Sequence, residues 1–437
     1  MNRILAASVV KHAGKEIMVQ GWLHKKRLLG GLTFINVRDR SGLVQVVVKD
    51  KGEVEKLRGL QIGTVLSVTG KVVEDERAPG GAEMHDAKLD VLVPVTDEPP
   101  IEIDKPLNHA PENLDTLFEY RPIGLRNLQE TAIFKIQSGI VQALREYFYQ
   151  NDFTDVRTPK LLATATEGGA EVFKMDYFGK EATLAQSPQF YKQMLVGVFE
   201  RVFEIAPVYR AEPSATTRHM TEYVSIDGEM GFISMKELEE FLGGLLNYVI
   251  DYVWERYERE LKQWSIAKPV LPKQIPAMSM AEIHEKYSKA TGENSVGEKD
   301  LRPDEERWIC EYAAKELGSE AIFVTDWPAD EMKFYHKAQD GKPELADRLD
   351  LLFRGVEIAT GSMRENDHKV LVRQLKEKAG GDPNDPGFKY FLMAMRAGMP
   401  PHGGFGMGLE RLTEKIVGLN NVKEATLFPR DINRLAP

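Results

Sequence analysis

The hydrophobic pattern of the chain changes its period near residue 130, and this change constrains the fold more than any other feature. Up to about residue 100 the apolar residues stand in short β-branched runs, which turn residues such as Gly30-Gly31 and Ser41-Gly42 separate. The runs begin at Ile17, Leu32, Leu43, Thr64 and Leu89. Runs of this length and composition predict strands of an antiparallel β-structure.

Five short strands in about a hundred residues suit a small closed barrel of the OB-fold type. A barrel without a ligand explains the pattern equally well. After residue 130 one apolar helix face is predicted, with Ile133, Ile136, Ile140, Val141, Leu144 and Phe148. Helical patterns then alternate with short strands, so we expect an α+β unit. The predicted divisions are a barrel over 1–100, a connector over 101–130 and a second unit over 131–437, with a helical insertion near 270–325.

Composition excludes several classes of protein. The 437 residues are 42% hydrophobic, enough for more than one core. The single cysteine, Cys310, excludes an intramolecular disulfide framework, and the nine histidines show no HExxH zinc spacing. No apolar run is long enough to cross a bilayer, and the short N-terminal run ends in charge. We therefore expect a cytoplasmic protein without a signal peptide or membrane contact.

The net charge of −10 argues against a surface coated for nonspecific nucleic-acid binding. A local basic patch on an acidic body remains compatible with this charge. Any nucleic-acid function must therefore be argued from particular sites.

Three segments carry polar residues in patterns that suggest chemistry. The first, 152–159, ends in Pro159 and on its own is no more than a helix end and a strand. The second, 208–232, holds Arg210, Glu212, Arg218 and His219 between two strand-like runs. Arginine is planar, always charged and bidentate, so such a hairpin can bind phosphate. The alternative is a surface hairpin with ordinary ion pairs, which the apolar strands on both sides of the polar loop make weaker.

The third segment, 398–412, contains Gly403, Gly404, Gly406 and Gly408 before a probable helix that carries Arg411. Glycines let the backbone approach a ligand closely. The segment lacks the GK[ST] ending of a P-loop, and no βαβ unit precedes it as in a Rossmann turn. Alone it is a weak nucleotide-binding signal.

Together, and in this order, the three segments resemble motifs 1, 2 and 3 of class II aminoacyl-tRNA synthetases, with YRAE…TTRH as motif 2 and GFGMGLER as motif 3. The preceding barrel resembles the anticodon-binding domain of the subclass for aspartate, asparagine and lysine. The compact archaeal-type aspartyl enzyme is the most similar pattern. The resemblance implies a catalytic domain with an antiparallel sheet flanked by helices.

The resemblance also distinguishes among amino-acid substrates. Lys192 stands where aspartyl enzymes meet the substrate side-chain carboxylate, and a buried ammonium needs an anion, which favours aspartate over neutral asparagine. The segment RGVEI from Arg354 also resembles aspartyl enzymes. The aspartate-binding residues implied are Glu167, Ser187, Gln189, Lys192, Asp227 and Arg364. Of these, Glu167 resembles part of a loop that closes over the amino acid, and Asp227 resembles the residue that orients the amine.

The same resemblance implies ATP as a substrate together with Mg²⁺. Its ATP-binding residues would be Arg210, Glu212, Arg218, His219, Tyr223, Glu357 and Arg411, of which Arg210, Glu357 and Arg411 would be catalytic. Arg210 would contact the α-phosphate, Glu212 the adenine edge and Tyr223 the adenine ring. Asp350, Glu357 and Thr360 resemble magnesium ligands, with threonine where relatives often have serine.

In the barrel, Phe34 and Gln45 resemble residues that stack on the middle anticodon base and hydrogen-bond it. A place in the barrel core is the alternative for Phe34. Lys25, Lys26 and Arg27 are expected to form a basic loop for the phosphates.

His24 and Pro79 resemble the pair found in relaxed enzymes, which charge both tRNA(Asp) and tRNA(Asn) with aspartate. Strict relatives often carry tryptophan and lysine there. The expected partners are thus tRNA(Asp), tRNA(Asn) and L-aspartate, with Pro159 at a homodimer interface and handover to an amidotransferase as an open possibility. The alternatives are an asparaginyl-tRNA synthetase and a non-catalytic RNA-binding paralogue.

Overall fold

The computed structural model describes residues 1–29, 32–163, 171–213 and 216–437. The chain divides into two compact units, Met1–Thr131 and Ala132–Pro437. Each unit has its own hydrophobic core.

A closed barrel with the strand order β1-β2-β3-β5-β4 forms the first unit's core. Its strands are β1 (Glu16–Leu29), β2 (Leu32–Asp39), β3 (Gly42–Val48), β4 (Val65–Glu74) and β5 (Ala82–Val93), and helix α1 (Lys51–Gly59) lies between β3 and β4. The barrel confirms the OB-fold prediction. The predicted start of the last strand at Leu89 is wrong, because the polar-looking stretch from Ala82 already turns Met84 and Ala87 into the core.

The predicted connector, 101–130, lies entirely within the first unit. It contains the short helices α2 (Leu114–Glu119) and α3 (Arg121–Gly124). Arg121 and Glu130 form a fully buried ion pair there. The segment is therefore a folded part of the unit.

In the described part of the second unit, the main sheet has eight strands in the order β12-β13-β17-β18-β19-β11-β10-β6. The strands are β6 (Thr154–Asp155), β10 (Arg201–Tyr209), β11 (Glu222–Gly231), β12 (Ala277–Ser279), β13 (Ala321–Thr325), β17 (Arg348–Phe353), β18 (Val356–Met363) and β19 (His402–Gly408). Neighbours are antiparallel except at the two edges, where β12 pairs with β13 and β6 with β10 in parallel. The expected antiparallel sheet is thus confirmed for the middle strands, and the parallel pairs at the two edges make the whole sheet a mixed one.

Two small sheets accompany it. One has the order β7-β9-β8 and the other β14-β16-β15. Their strands are β7 (Leu161–Leu162), β8 (Lys174–Tyr177), β9 (Lys180–Leu184), β14 (Trp327–Pro328), β15 (Ala338–Gln339) and β16 (Lys342–Ala346).

Helices flank the main sheet, as predicted. They are α4 (Leu128–Gln150), α5 (Gln189–Phe199), α6 (Met235–Arg256), α7 (Glu258–Leu261), α8 (Met280–Thr291), α9 (Pro303–Glu316), α10 (His368–Ala379), α11 (Pro386–Arg396) and α12 (Leu409–Val417). The apolar face predicted for α4 is buried from Ile133 to Phe148, except that Val141 is only half-buried. No helix among the described residues is long and apolar enough to span a bilayer.

The segment 270–325 contains α8 and α9. It also contains β12 and β13, which lie at one edge of the main sheet. Helix α9 begins at Pro303, a residue whose fixed φ suits the first helical position, and carries three acidic residues in its first turn. The two helices are therefore tied to the sheet at both ends of the segment.

Candidate active site

The middle strands of the main sheet, β11, β18 and β19, line a cavity of about 460 Å³ in the second unit. The register places Asp227 of β11 opposite Gly406 of β19, and Gly406 opposite Thr360 of β18. Helix α5 adds Gln189 and Lys192, one turn apart, to the wall. Residues distant in the sequence thus meet over one face of the sheet.

The cavity brings together most of the predicted catalytic-unit residues. They are Ser187, Gln189, Lys192, Arg210, Glu212, Arg218, His219, Tyr223, Asp227, Glu357, Thr360, Arg364 and Arg411. Asp350 is buried beside this group and pairs with Thr360 across β17 and β18. Pro159 is exposed after β6, and Glu167 lies outside the described residues.

The charged lining is predominantly cationic. Among the described residues, seven cations line the cavity against five acids. The cations are Lys192, Arg210, Arg218, Lys333, Arg348, Arg364 and Arg411, and the acids are Glu212, Asp227, Glu331, Glu357 and Glu410. A cavity with this balance, in a chain of net charge −10, suits anionic ligands.

One end of the cavity is a buried charge network around Lys192, a residue that is 3% exposed. Its Nζ donates to Asp227 Oδ1 at 2.8 Å and to the carbonyl oxygen of Phe405 at 2.9 Å. The hydroxyl of Ser225 donates to the other Asp227 oxygen at 2.6 Å. These bonds fix the lysine and the aspartate in one geometry.

Arg364 binds Glu229 through two parallel contacts, from Nε at 2.7 Å and from an Nη at 3.2 Å. Lys192 Nζ lies 3.6 Å from the same glutamate. Burial would raise the pKa of Glu229, but the neighbouring Arg364 and Lys192 hold it below its ordinary value. Glu229 therefore remains an anion beneath both cations.

The sequence analysis missed Glu229, although a signal was present. Asp227 and Glu229 are two residues apart on a strand, and side chains at this spacing share a face. Lys192 was expected to find its anion in the substrate, but Asp227 and Glu229 of the protein already supply anions. The buried cations are stable without substrate because the protein pairs them.

Two neutral polar side chains complete this end. The Nε2 of Gln189 is buried and has no hydrogen-bond partner among the described residues, while its backbone N–H bonds to Ser187 Oγ at 3.1 Å. His336, which the sequence analysis did not single out, also lines the cavity. Burial, and secondarily Arg364, keeps its pKa well below the ordinary value, so the imidazole is uncharged.

The glycines of the third segment act on this network and not only on a ligand. A Cβ at Gly404 would lie 2.0 Å from Glu229 Oε2 and 2.3 Å from the carbonyl oxygen of Gly228. At Gly406 the nearest atom, Asp227 Oδ1, would be 3.6 Å away, an ordinary contact. Gly404 is thus required so that β19 can approach Glu229.

The other end of the cavity holds the residues predicted to bind ATP. The guanidinium of Arg210 lies 5.6 Å from the centre of the Tyr223 ring, and its Nη1 lies 3.5 Å from Glu212. His219 lies 3.4 Å from Glu212 and hydrogen-bonds Thr216 at 2.6 Å. The guanidinium of Arg210, a planar cation, therefore lies over the Tyr223 ring.

Arg218 and Arg411 contribute two more guanidinium groups. Arg411 donates to the carbonyl oxygen of Glu357 at 3.1 Å, and its Nη1 lies 3.5 Å from the Glu357 carboxylate. Arg218 donates to Glu306 Oε2 at 2.6 Å and to the carbonyl oxygen of Gly355 at 3.3 Å. Both are about one-quarter exposed, so they can reach a bound anion.

The residues predicted to hold magnesium supply oxygen donors close together. The Thr360 hydroxyl donates to Glu357 at 3.1 Å, and Arg348 binds Asp350 at 2.7 Å. Burial, which Arg348 counteracts and Glu357 reinforces, raises the pKa of Asp350 to about 6. Among the described residues no group of three His, Cys, Asp or Glu could hold a metal. Two carboxylates and a hydroxyl fit Mg²⁺ that keeps waters and shares phosphate oxygens with a nucleotide.

In the barrel unit, the predicted basic loop is part of strand β1. Lys25, Lys26 and Arg27 lie within Glu16–Leu29. Lys26 Nζ donates to the carbonyl oxygens of Leu57 and Arg58 at 3.2 Å, and to that of Leu60 at 2.6 Å. The prediction of a loop was wrong, because these three residues pair with β2 in the barrel, while Lys26 also contacts the carbonyl oxygens at the end of α1.

Phe34 lies on the outer surface of the barrel. It is half-buried, whereas its neighbours Thr33 and Ile35 are buried, so the core alternative is wrong. Gln45 lies on the same face, near it on the adjacent strand, and its Nε2 donates to Glu83 at 2.8 Å. A half-buried aromatic ring beside a fixed amide is an arrangement on which an unpaired base could stack and form a hydrogen bond.

His24 and Pro79 occupy different environments. His24 is buried at a bulge of β1, where burial and Arg38 lower its pKa to about 4. Pro79 is exposed and opens a tight turn in which Gly80 and Gly81 both have positive φ. His24 is therefore neutral at physiological pH, while Pro79 adds no charge and no backbone donor.

Comparison with known proteins agrees with this geometry. Residues 113–432 match the family described as tRNA synthetases class II (D, K and N), and residues 17–92 match the OB-fold nucleic acid binding domain. The chain is 42% identical to the aspartate--tRNA(Asp/Asn) ligase of Thermus thermophilus over 100% of both chains. It is 41% identical to the aspartate--tRNA(Asp) ligase of Pyrococcus horikoshii over 97% of both chains.

A solved structure is similar over the whole chain as well. The asparaginyl-tRNA synthetase of Pyrococcus horikoshii, complexed with asparaginyl-adenylate, has a TM-score of 0.91 and 31% identity, and 100% of each chain is covered. The cationic cavity lies within the matched catalytic region. The chain therefore belongs to the class II tRNA synthetases of the aspartate, lysine and asparagine group, an aminoacyl-tRNA synthetase with an OB-fold domain ahead of its catalytic unit.

Proposed function

We propose that the protein activates L-aspartate with ATP and transfers it to tRNA(Asp) and tRNA(Asn). The observation that carries the amino-acid assignment is the network of Lys192, Arg364, Asp227 and Glu229. The names of the Thermus and Pyrococcus relatives, both aspartate--tRNA ligases, support the same assignment.

The charges of the network match those of aspartate. Lys192 and Arg364 share Glu229, which leaves one net positive charge toward the cavity. Asp227 supplies a negative charge beside it. The side-chain carboxylate of aspartate neutralises the first and its α-ammonium neutralises the second. Asparagine has no side-chain charge, so it would lose the charge-assisted contacts with Lys192 and Arg364 that the carboxylate of aspartate makes.

In the first step the α-carboxylate of aspartate attacks the α-phosphorus of ATP, and pyrophosphate leaves with the electrons of the broken bond. The carboxylate is already ionised at neutral pH, so the step needs no general base. Arg210 would neutralise charge at the α-phosphate, and Arg218, His219 and Arg411 charge on the leaving pyrophosphate. Catalysis is then positioning and electrostatic stabilisation. Mg²⁺ at Asp350, Glu357 and Thr360 would supply further charge neutralisation.

In the second step the terminal ribose hydroxyl of tRNA attacks the carbonyl carbon of the adenylate, and AMP leaves. By the class II pattern this is the 3′-hydroxyl. The outer face of the barrel, with Phe34 and Gln45, would hold the anticodon. We further propose a homodimer with Pro159 at its interface, a contact of Glu167 with the amino acid, and handover of aspartyl-tRNA(Asn) to an amidotransferase where the host has one.

The asparaginyl enzyme is the second candidate, because a solved asparaginyl-tRNA synthetase shares the fold at a TM-score of 0.91. Charging of purified tRNA(Asp) and tRNA(Asn) with labelled aspartate and labelled asparagine separates the two. We expect both tRNAs to accept aspartate and neither to accept asparagine. Transfer of asparagine at a comparable rate would overturn the proposal. Charging of tRNA(Asp) alone would remove only the relaxed tRNA specificity.

A further inference from the structure

One carboxylate of helix α9 contacts a charged side chain at the ATP end of the cavity. Glu306, in the first turn of α9, accepts a hydrogen bond from Arg218 at 2.6 Å. The same guanidinium donates to the carbonyl oxygen of Gly355 at 3.3 Å. Glu306 lies in the segment 270–325, outside the three motif segments. No role was predicted for it from the sequence.

Both hydrogen-bond partners of Arg218 belong to packed elements: Glu306 to helix α9 and Gly355 to the turn between β17 and β18. Helix α9 buries Ile309 and Ala313 against the core of this region. Gly355 belongs to the two-residue turn between β17 and β18, and a Cβ there would lie 3.2 Å from Arg307 Cγ of α9. The helix and the turn are therefore in close contact, and together they fix where the guanidinium lies.

Glu306 has charged neighbours of both signs. Burial and the nearby Glu357 raise the pKa of Glu306, whereas Arg218 and Arg411 oppose this rise. The group thus comprises two carboxylates and two guanidinium groups, within reach of one another. An arginine held along one edge keeps the rest of its planar fork oriented for a second, incoming oxyanion.

We propose that Glu306 is a positioning residue that holds the Arg218 guanidinium in the orientation needed for the terminal phosphates of ATP. This inference rests on the proposed ATP-dependent function. It assigns to the helical segment between β12 and β13 a part in nucleotide binding. Glu306 acts through Arg218 and has no contact of its own with substrate in this account.

The test is ATP–pyrophosphate exchange by Glu306→Ala, Glu306→Gln and Arg218→Ala. Glu306→Ala should raise the KM for ATP about ten- to a hundredfold, the effect of losing one charge-assisted hydrogen bond, and leave the KM for aspartate unchanged. Glu306→Gln keeps an acceptor and should stay within about twofold of wild type. Glu306→Ala should add nothing in the Arg218→Ala background, because the two residues act as a unit. The control is Glu311→Ala, an exposed position on the same helix.

An unchanged or lower KM for ATP in Glu306→Ala would overturn the inference, since a carboxylate that merely repels phosphate predicts a lower value. If Glu306→Ala raises the KM for ATP as much in the Arg218→Ala background as it does in wild type, the inference is overturned as well. If the wild type shows no exchange with aspartate, the proposed function fails. Calorimetric titration with ATP alone then still tests Glu306, and equal ATP affinity of wild type and Glu306→Ala would overturn the inference separately.

Discussion

The catalytic unit and the barrel unit hold their functional side chains in opposite ways. Lys192 and Arg364 are 3% and 4% exposed and are fixed by carboxylates of the protein. Phe34 and Gln45 lie half-buried on the outer surface of the barrel. Buried charges interact strongly and cannot rearrange toward solvent, whereas surface contacts are screened by salt. Single substitutions should therefore have large effects at the amino-acid end of the cavity and graded effects on the barrel.

The largest effect is expected for Lys192→Met. It removes the cation shared by Asp227 and Glu229, and breaking a buried pair by deleting one partner costs about 3–5 kcal/mol. We expect aspartate-dependent exchange to fall about a thousandfold or more and the thermal midpoint to fall with it. Lys236→Met, an exposed change on α6, is the control. Activity within tenfold of wild type would show that the network does not bind aspartate.

Arg411→Ala and Arg210→Ala should each lower exchange by about 100- to 1000-fold, because each removes a guanidinium aimed at phosphate charge. Unlike Lys192, both side chains are partly exposed, so the thermal midpoint should stay within a degree or two. Exchange rates measured beside thermal melts test this contrast. If both variants keep wild-type exchange, the assignment of the ATP end is wrong.

On the barrel, the double change His24→Trp with Pro79→Lys should lower kcat/KM for tRNA(Asn) relative to tRNA(Asp) by about ten- to a hundredfold. The two anticodons differ at one base, and one base contact is worth roughly 1–3 kcal/mol. His24 is neutral and buried and Pro79 carries no charge, so the pair supplies neither the tryptophan nor the lysine that strict relatives often carry. Charging kinetics with both tRNAs test the change. A wild type that already prefers tRNA(Asp) a hundredfold would contradict relaxed specificity.

The smallest effect concerns stability and Glu410. Burial raises the pKa of this carboxyl from 4.5 to about 7, and the backbone N–H of Val224 donates to both of its oxygens at 3.1 Å. Because the folded-state pKa is the higher one, the folded protein binds the proton more tightly, and stability falls as pH rises between about 4.5 and 7. Glu410→Gln removes this loss.

The thermal midpoint of Glu410→Gln relative to wild type should therefore rise from pH 5 to pH 8. The expected change is about 1–2 kcal/mol, or a few degrees. The same substitution at exposed Glu285 is the control, and its midpoint difference should be flat. A difference at Glu410 that does not depend on pH would contradict the raised pKa.

Much of the architecture follows from the sequence because period and turn chemistry are local signals. The five-stranded barrel, helix α4 and the approach of the three polar segments to one cavity are cases of this. The start of β5 was predicted wrongly because the apolar residues there, such as Ala82 and Met84, alternate with polar ones. Whether these residues are buried is decided only when the barrel closes.

The residues of the candidate site that were not predicted from the sequence are charged partners that tertiary structure brings to the predicted cations. Glu229 neutralises Lys192 and Arg364 from a strand, and Glu306 reaches Arg218 from a helix 88 residues away in the chain. Lys26 is drawn to the end of α1, which no motif indicates. Buried charges need partners, but the sequence does not show which residues will be near enough to serve.

The central claim is that the buried network selects aspartate by charge, and amino-acid-dependent ATP–pyrophosphate exchange tests it most directly. With purified wild-type protein, saturating ATP and each amino acid varied, kcat/KM for aspartate should exceed that for asparagine by about a thousandfold or more, the equivalent of roughly 4 kcal/mol for the charge-assisted contacts that asparagine cannot make. Exchange with asparagine at a rate equal to that with aspartate would contradict the account.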